Sequence, residues 1–298
     1  MISVRVPATS ANMGPGFDSL GIAIEMYNIF GFEETEDGLE FRGFPKEFCN
    51  KDNIIYEAMQ ICFNKGSYKH RGLIITSLKQ DIPISRGLGS SSSCIVAGLI
   101  GANEIMGRPF SKEDIFQMAV EIEGHPDNVA PAVFGGMVVA IMEGDRVYYD
   151  MVKLKRNLKF VPIIPNFKLA TKEARGVLPD KISMKDGVYN VSRAALMVAA
   201  LSNGNHDLLK FACKDSFHED YRSKLITKFY AVKEEAYCNG ALASYLSGAG
   251  STIMAMVSED NYSFIDKMKE FLKVNLLNWD IHELSIDFLG AIVLEGDE

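Results

Sequence analysis

The sequence PISRGLGSSSS (83–93) places two glycines and four serines directly before an apolar run, CIVAGLIGANEIM (94–106). The apolar run predicts a helix. Backbone amides at a helix start lack intrahelical acceptors, and the helix dipole makes that end partly positive. Gly87 and Gly89 let a backbone approach an anion closely, and the serines supply hydroxyls and the first helical amides. The stretch is therefore either the serine-rich cap of a core helix or a loop that cradles a phosphate.

The stretch lacks the two commonest phosphate-binding motifs. A Walker A loop needs Gly-Lys-Ser/Thr, and no lysine lies between Lys79 and Lys112. The Rossmann pattern G-x-G-x-x-G is also absent. A flexible linker is disfavoured because apolar residues flank the stretch on both sides. Spacing alone leaves the helix cap and the phosphate loop as the two open interpretations.

Length and composition are those of a soluble globular protein of enzyme size. The 298 residues suffice for one large domain or two ordinary ones, with 47% hydrophobic and 23% charged residues. The net charge of −8 disfavours a general nucleic-acid binder. Five cysteines at irregular spacings, without a CxxC pair, predict neither a zinc cage nor disulfides. Without a signal peptide or an apolar run long enough to cross a bilayer, the sequence predicts a cytoplasmic protein with no membrane association.

Periodicity predicts mixed helices and hairpins without strict βαβ alternation, which favours an α+β fold. Asn53 and Ser111 are predicted helix N-caps. The predicted helices are 53–66, 92–106, 112–123, 171–177, 187–203, 205–213, 224–238 and 260–274. The predicted strands are 2–6, 20–32, 72–79, 159–165, two within 241–258, 281–287 and 290–296, with hairpins around 37–38 and within 136–152.

Two further segments change the interpretation of the serine stretch. PATSANMGPGFDSLGIA (7–23) places Asn12 and Asp18 in a loop between strands, and LSGAGSTIMAM (246–256) is a second glycine-serine loop. Alone, each is a plain turn. In this order, the three segments resemble the three signature segments of the GHMP kinases, a family of small-molecule kinases. The serine stretch is similar to that family's P-x-x-x-G-L-G-S-S-A loop, with Ser92 where alanine is usual.

The resemblance implies the GHMP-kinase fold. Its N-terminal half is like domain 2 of ribosomal protein S5 and would bind ATP, and its C-terminal half is ferredoxin-like. The implied division is 1–158 and 159–298, with ATP between the halves. Homodimers are common in the family, so a homodimer is also an expectation.

The resemblance further implies which residues hold ATP and Mg²⁺. Asn53 resembles the residue that meets adenine, although it is also a plausible helix cap. A serine hydroxyl, Ser91 among Ser90–Ser92, and a glutamate before GHPDN would hold the metal. Glu121 is preferred over Glu123 because the family's short GEL element aligns best with VEI. The implied phosphate-loop residues are Pro83, Ile84, Ser85, Arg86, Gly87, Leu88, Gly89, Ser90, Ser91, Ser92 and Ser93.

Within the family, the likeness is greatest to members that phosphorylate the hydroxy amino acid L-homoserine, a step in threonine biosynthesis. An amino acid's carboxylate is suited to arginine, whose planar fork gives two parallel hydrogen bonds. The segments that carry this likeness are SANMGPGFDSLG, EGHPDNVAPAVFGG, TKEARGVLP and LSGAGST. By resemblance, the substrate-binding residues are Asn12, Asp18, His125, Asn128, Arg175 and Arg222.

The catalytic step is predicted to depend on alignment and charge stabilisation. Asp18 would hold the ammonium or orient the hydroxyl, and the hydroxyl proton would pass late to phosphate or to Asp18. Asp127 as a general base, or no base at all, stays open. Two other functions stay open as well: a GHMP kinase for mevalonate or a sugar, and a non-catalytic sensor of nucleotide and metabolite.

Overall fold

The computed structural model describes residues 1–155 and 158–294, and its first half is a mixed sheet covered by helices. The sheet has the order β11-β1-β2-β4-β3, and β5 pairs with β2 and with β6. Its strands are β1 (Ile2–Ala11), β2 (Leu20–Thr35), β3 (Gly38–Arg42), β4 (Gly72–Gln80), β5 (Met137–Glu143), β6 (Arg146–Val152) and β11 (Ile292–Leu294).

Four helices pack against this sheet around one apolar core. They are α1 (Ile54–Lys65), α2 (Ser90–Ile105), α3 (Lys112–Glu123) and α4 (Pro126–Phe134). Both predicted N-caps are present: the Asn53 side chain accepts from the amide of Ile55, and Ser111 forms a capping box with Asp114. These caps satisfy amides that have no acceptor within the helix.

The second half contains an antiparallel sheet of order β10-β7-β9-β8 and six helices among the described residues. The strands are β7 (Leu158–Ile164), β8 (Ala243–Leu246), β9 (Ile253–Ser258) and β10 (Asp280–Ile281). The helices are α5 (Thr171–Gly176), α6 (Met184–Asn203), α7 (Leu209–Ala212), α8 (Glu219–Arg222), α9 (Phe229–Cys238) and α10 (Phe264–Val274). The predicted α+β class, with two sheets, is confirmed.

The two halves are joined by more than one connection. The chain returns to the first sheet at its end, where β11 pairs antiparallel with β1. One apolar core also combines residues of both halves, including Ile22 and Leu88 from the first and Phe160 and Tyr245 from the second. The division at residues 158 and 159 stays a prediction, and residues 292–294 lie in the sheet of the first half. The last two residues of the predicted strand 290–296 lie outside the described residues.

The structure differs from the sequence prediction at several elements. The predicted strand 281–287 is reduced to the end of β10 and isolated bridges at Leu284 and Ile286, and α8 was not predicted. The turn at Asp37-Gly38 does not close a hairpin, because β3 pairs in parallel with β4. Both edges of β2 are already occupied, by β1 and by β4, so β3 adds to the free edge of β4. Helix α4 was not predicted, since it contains Pro126 and Pro131. Pro126 occupies the first turn, where the missing amide hydrogen leaves no hydrogen bond unmade.

Among residues 1–155 and 158–294, no helix combines the length and apolar character needed to cross a bilayer. The five cysteines, all of them within these ranges, are free thiols.

Candidate active site

A cavity of about 260 Å³ lies where the two halves meet. The loop between β1 and β2 contributes Asp18, and the start of α2 contributes Ser90. The second half contributes Arg222 from α8 and Gly248 from the loop between β8 and β9. All three segments singled out in the sequence therefore border one space.

The serine stretch forms a tight turn that ends in a helix N-terminus. Helix α2 begins at Ser90, directly after Gly89, which has a left-handed backbone with φ of 70°. A Cβ at Gly89 would lie 1.9 Å from the Thr9 hydroxyl oxygen, and one at Gly87 would lie 2.1 Å from the Ser247 carbonyl oxygen. Because both positions need φ > 0 and no side chain, glycine is required at each. The cap and the phosphate loop are thus compatible interpretations of one turn.

The second half holds this turn in place. The Ser247 hydroxyl donates to the Gly87 carbonyl at 2.6 Å, and the Thr252 amide donates to the Arg86 carbonyl. The Arg86 guanidinium donates to the Pro165 carbonyl through Nε and to the Ile84 carbonyl through Nη1. Burial lowers the pKa of Arg86. Arg86 therefore ties the turn to the second half.

The glutamate nearest the serines is Glu123. The Ser91 and Ser92 hydroxyls each donate to its carboxylate at 2.9 Å, and Glu123 borders the cavity. Glu121 instead accepts from Lys65 at 2.7 Å and is 67% exposed. Positions two apart on a helix differ in direction by about 200°, so the two side chains face opposite sides. Of these two glutamates, Glu123 is the one that lies beside the serine hydroxyls and the cavity.

Asn53 lies at the apolar end of the cavity. Its side-chain oxygen accepts from the Ile55 amide, and its side-chain nitrogen donates to the Phe48 carbonyl. Both polar atoms of the side chain therefore have partners within the protein. Phe44 and Phe48 border the same end, where a flat heterocyclic base would be in contact with apolar side chains.

The loop between β1 and β2 presents a carboxylate to an arginine. Asn12 and Asp18 have left-handed backbones, and the Asp18 amide donates to the Asn12 side chain. The Asn12 amide group donates to the Gly248 carbonyl. Arg175 donates to both oxygens of Asp18, at 2.8 and 3.1 Å. This bidentate pair fixes the orientation of both side chains.

A histidine and an aspartate form a second polar pair at the N-terminus of α4. His125 Nδ1 lies 2.8 Å from Asp127 Oδ1, and Asp127 is buried. Burial lowers the pKa of His125, but the hydrogen bond and charge of Asp127 outweigh burial and leave that pKa raised. The neighbouring Asn128 accepts from the Thr9 hydroxyl at 2.8 Å. The Asp127 carboxylate is therefore already engaged by His125.

Arg222 is a buried cation, only 2% exposed. Its Nε donates to the Ala174 carbonyl, and its Nη1 donates to the Gly248 carbonyl. Burial, followed by the like charge of Arg175, lowers the pKa of Arg222 to about 10. Its Nη2 bonds to no atom of the described residues, and Arg222 borders the cavity. The arrangement is suited to an anion that would be shared by the two arginines.

The structure brings most of the predicted site residues to the cavity. Pro83, Leu88, Ser92 and Ser93 do not border it, and neither does Glu121. Phe44 and Phe48 border it but were not singled out, because isolated aromatic residues carry no sequence signal for a site. Thr171 and Ala249 also border it and lie within TKEARGVLP and LSGAGST, but neither was named individually. The predicted residues at the cavity are Asn12, Asp18, Asn53, Ile84, Ser85, Arg86, Gly87, Gly89, Ser90, Ser91, His125, Asn128, Arg175 and Arg222.

Comparison with known proteins shows the family to which this chain belongs. Residues 53–136 match the family model of the GHMP kinases N terminal domain, and residues 196–274 match that of the GHMP kinases C terminal. The chain belongs to the GHMP kinase family, and the predicted GHMP-kinase fold is confirmed.

The most similar proteins found include homoserine kinases. A homoserine kinase of Clostridium beijerinckii is 63% identical over 296 residues, covering 99% of this chain and 99% of that protein. The crystal structure of homoserine kinase from Cytophaga hutchinsonii superposes with a TM-score of 0.86 at 27% identity, covering 98% of this chain and 97% of that one. The structure of a putative homoserine kinase from Listeria monocytogenes has a TM-score of 0.80 at 31% identity, covering 99% and 100%.

Proposed function

We propose that this chain is a homoserine kinase, which transfers the γ-phosphoryl group of ATP to L-homoserine and forms O-phospho-L-homoserine for threonine biosynthesis. The observation that carries the proposal is the juxtaposition, in one cavity, of a glycine-serine helix N-terminus with Asp18, Arg175 and Arg222. The helix N-terminus suits a polyphosphate, and the carboxylate with the two arginines suits a zwitterion.

The chemistry of the cavity wall supports a position for ATP along the serine turn. The Ser93 amide donates to the Gly89 carbonyl, so the amides of Ser90–Ser92 precede the first intrahelical bond. These amides, with the positive end of the helix dipole, would bind the β- and γ-phosphates. The adenine would then lie toward Phe44 and Phe48, where the cavity is apolar.

The oxygen atoms at the serine turn fit Mg²⁺. This ion takes oxygen ligands, keeps several waters and is commonly held by one or two carboxylates together with substrate phosphates. Glu123, with the Ser91 hydroxyl beside it, provides such a set. Bound there, Mg²⁺ would neutralise charge on the phosphates and orient them.

Glu123→Gln is expected to raise the Mg²⁺ concentration needed for half-maximal activity by about tenfold or more, because the amide removes the carboxylate charge. It is also expected to weaken ADP binding in the presence of Mg²⁺, measured by calorimetry. Glu121→Gln is the matched control on the same helix and is expected to change neither quantity. The same loss in both variants, or a loss in Glu121→Gln alone, would contradict the assignment.

The acceptor end of the cavity complements both charges of an amino acid. The carboxylate of homoserine would bind Nη2 of Arg222 and the guanidinium of Arg175, and so offset the burial and the like charge of Arg175 that lower the pKa of Arg222. The ammonium would bind Asp18, which Arg175 holds by its two oxygens. A neutral sugar would offer the buried charge of Arg222 no anionic partner.

Phosphoryl transfer then needs the acceptor hydroxyl in line with the γ-phosphate. His125 and Asn128 border the cavity and would contact the acceptor. Asp127 is engaged by His125 and is only 3% exposed, whereas Asp18 is 33% exposed, so the hydroxyl proton would pass to phosphate or to Asp18 late in transfer. Positioning and electrostatic stabilisation are the main contributions in this mechanism.

An ADP-release assay with homoserine, serine, mevalonate and galactose tests the function. ADP formation is expected with homoserine and with none of the other three acceptors. Formation with a neutral sugar would favour another member of the family. No ADP with any acceptor, together with tight nucleotide binding, would favour a sensor.

Partners and location follow from the proposed reaction. ATP and L-homoserine are its small-molecule substrates, and the negative net charge disfavours nucleic acid as a partner. Biosynthesis from ATP suits the cytoplasm, away from membranes. A homodimer stays an expectation from the family resemblance.

A further inference from the structure

The buried histidine His218, beneath the acceptor end of the cavity, contacts no reacting group in the proposed phosphoryl transfer. His218 is 0% exposed and lies at the start of α8, four residues before Arg222. One ring nitrogen, Nε2, lies 3.0 Å from the Gly14 carbonyl oxygen, in the loop that carries Asp18. The other, Nδ1, lies 3.4 Å from Nη1 of Arg222. A single ring thus contacts both the loop and the arginine.

The partners of His218 define its tautomer. A carbonyl oxygen can only accept, so Nε2 must carry the hydrogen that is donated to Gly14. A guanidinium can only donate, so Nδ1 must keep its lone pair for Arg222. Burial, together with the charge of Arg222, lowers the pKa of His218, although the nearby charge of Asp215 opposes this shift. The neutral ring is the form that satisfies both neighbours.

The same loop is held by a second buried side chain. Asn190, on α6, donates from Nδ2 to the Pro15 carbonyl at 3.2 Å and to Asp215 at 2.7 Å. Asp215 in turn accepts from the amides of His218 and Glu219, each at 2.8 Å. The carbonyls of the loop therefore bond to a continuous polar network that belongs to the second half.

An aromatic ring completes the contact between the loop and the arginines. Phe17 lies next to Asp18, and its ring centroid is 5.4 Å from that of His218. The guanidinium carbons of Arg175 and Arg222 lie 5.7 and 5.3 Å from the Phe17 ring centroid. Cations at such distances are attracted to the ring face. A shift of the loop would therefore move Phe17 relative to both arginines.

We propose that His218, as the neutral Nε2–H tautomer, is a positioning residue that fixes the loop carrying Asn12 and Asp18 against Arg222. The proposal rests on the proposed function, because it concerns the site of the acceptor. His218 acts through Gly14 and Arg222 and contacts no reacting atom. Its bond to Gly14 sets the distance between the carboxylate of Asp18 and the guanidinium of Arg222, which together must match one amino acid.

Two amide variants separate the bonds of His218. The amide of His218→Gln reaches the Nε2 position and can still donate to Gly14, whereas that of His218→Asn reaches only the Nδ1 position. His218→Asn is expected to raise KM for homoserine by about tenfold or more, the effect of losing one buried hydrogen bond, with KM for ATP within about twofold. His218→Gln is expected to stay within about threefold of wild type. His70→Asn, a matched change outside the cavity, is expected to alter neither KM.

Hydrogen exchange gives a readout that needs no turnover. His218→Asn is expected to lose protection at the amides of residues 12–19, while His218→Gln and His70→Asn keep it. Equal KM and equal protection in the Asn and Gln variants would overturn the proposal, as would an unfolded Asn variant, which would make His218 a residue of the folding core. If the wild type does not phosphorylate homoserine, the proposed function fails, and the exchange data still decide the role of His218.

Discussion

Replacing Asp18 by asparagine is expected to lower kcat with homoserine by about 100- to 10,000-fold, the range found when a positioned proton acceptor is lost. The amide keeps the shape of the side chain but removes the charge that Arg175 binds through both oxygens. It also removes the partner of the substrate ammonium. Initial rates over a matrix of ATP and homoserine concentrations would measure the effect, and KM for ATP is expected to stay within about twofold.

Asp127→Asn is the control for this prediction, because Asp127 is also a carboxylate at the cavity. Asp127→Asn is expected to lower kcat with homoserine by less than about tenfold, since an asparagine oxygen can still accept from His125. Without the charge of Asp127, burial is expected to dominate and the pKa of His125 to fall, which NMR titration would show. A large loss in Asp127→Asn with a nearly normal Asp18→Asn would assign the base to Asp127 and contradict the mechanism.

Arg222→Lys is expected to raise KM for homoserine by about 100-fold, which corresponds to the loss of one to two charge-assisted hydrogen bonds. Lysine keeps the positive charge but lacks the planar fork. It also leaves the Ala174 and Gly248 carbonyls without the donors that Arg222 provides. A lower Tm is therefore expected as well, and the kinetics should be measured well below it.

A change in the substrate separates binding from stability. 3-Aminopropan-1-ol is homoserine without its carboxylate, so it cannot use the bond to Arg222. Arg222→Lys is expected to change kcat/KM for this amino alcohol by less than about threefold, while kcat/KM for homoserine falls about 100-fold. Equal losses with both acceptors would mean that Arg222 supports the fold and does not read the carboxylate.

The sequence predicted the local elements of this protein well. Asn53 and Ser111 cap the helices that they were predicted to cap, and the glycine-serine stretch leads into a helix. A cap depends on side chains within three residues of the first turn, so its signal is local. The prediction of a hairpin at Asp37-Gly38 was wrong because pairing depends on which strand edges are free, and β4 had already taken that edge of β2.

The choice between two glutamates shows the limit of local information. Helical geometry places Glu121 and Glu123 on opposite sides of α3, but it does not say which side meets the serine stretch. That depends on packing between α2 and α3, which brings Ser91 to a residue 32 positions away.

By itself, the sequence determined the helix caps, the α+β class and the three glycine-bearing segments, because each is set by residue types a few positions apart. The tertiary structure decided the rest of the site. It paired Asp18 with Arg175 across 157 positions, buried Arg222, and placed His218 between that arginine and Gly14. These relations depend on how helices and loops of both halves pack together, and no spacing along the chain specifies them.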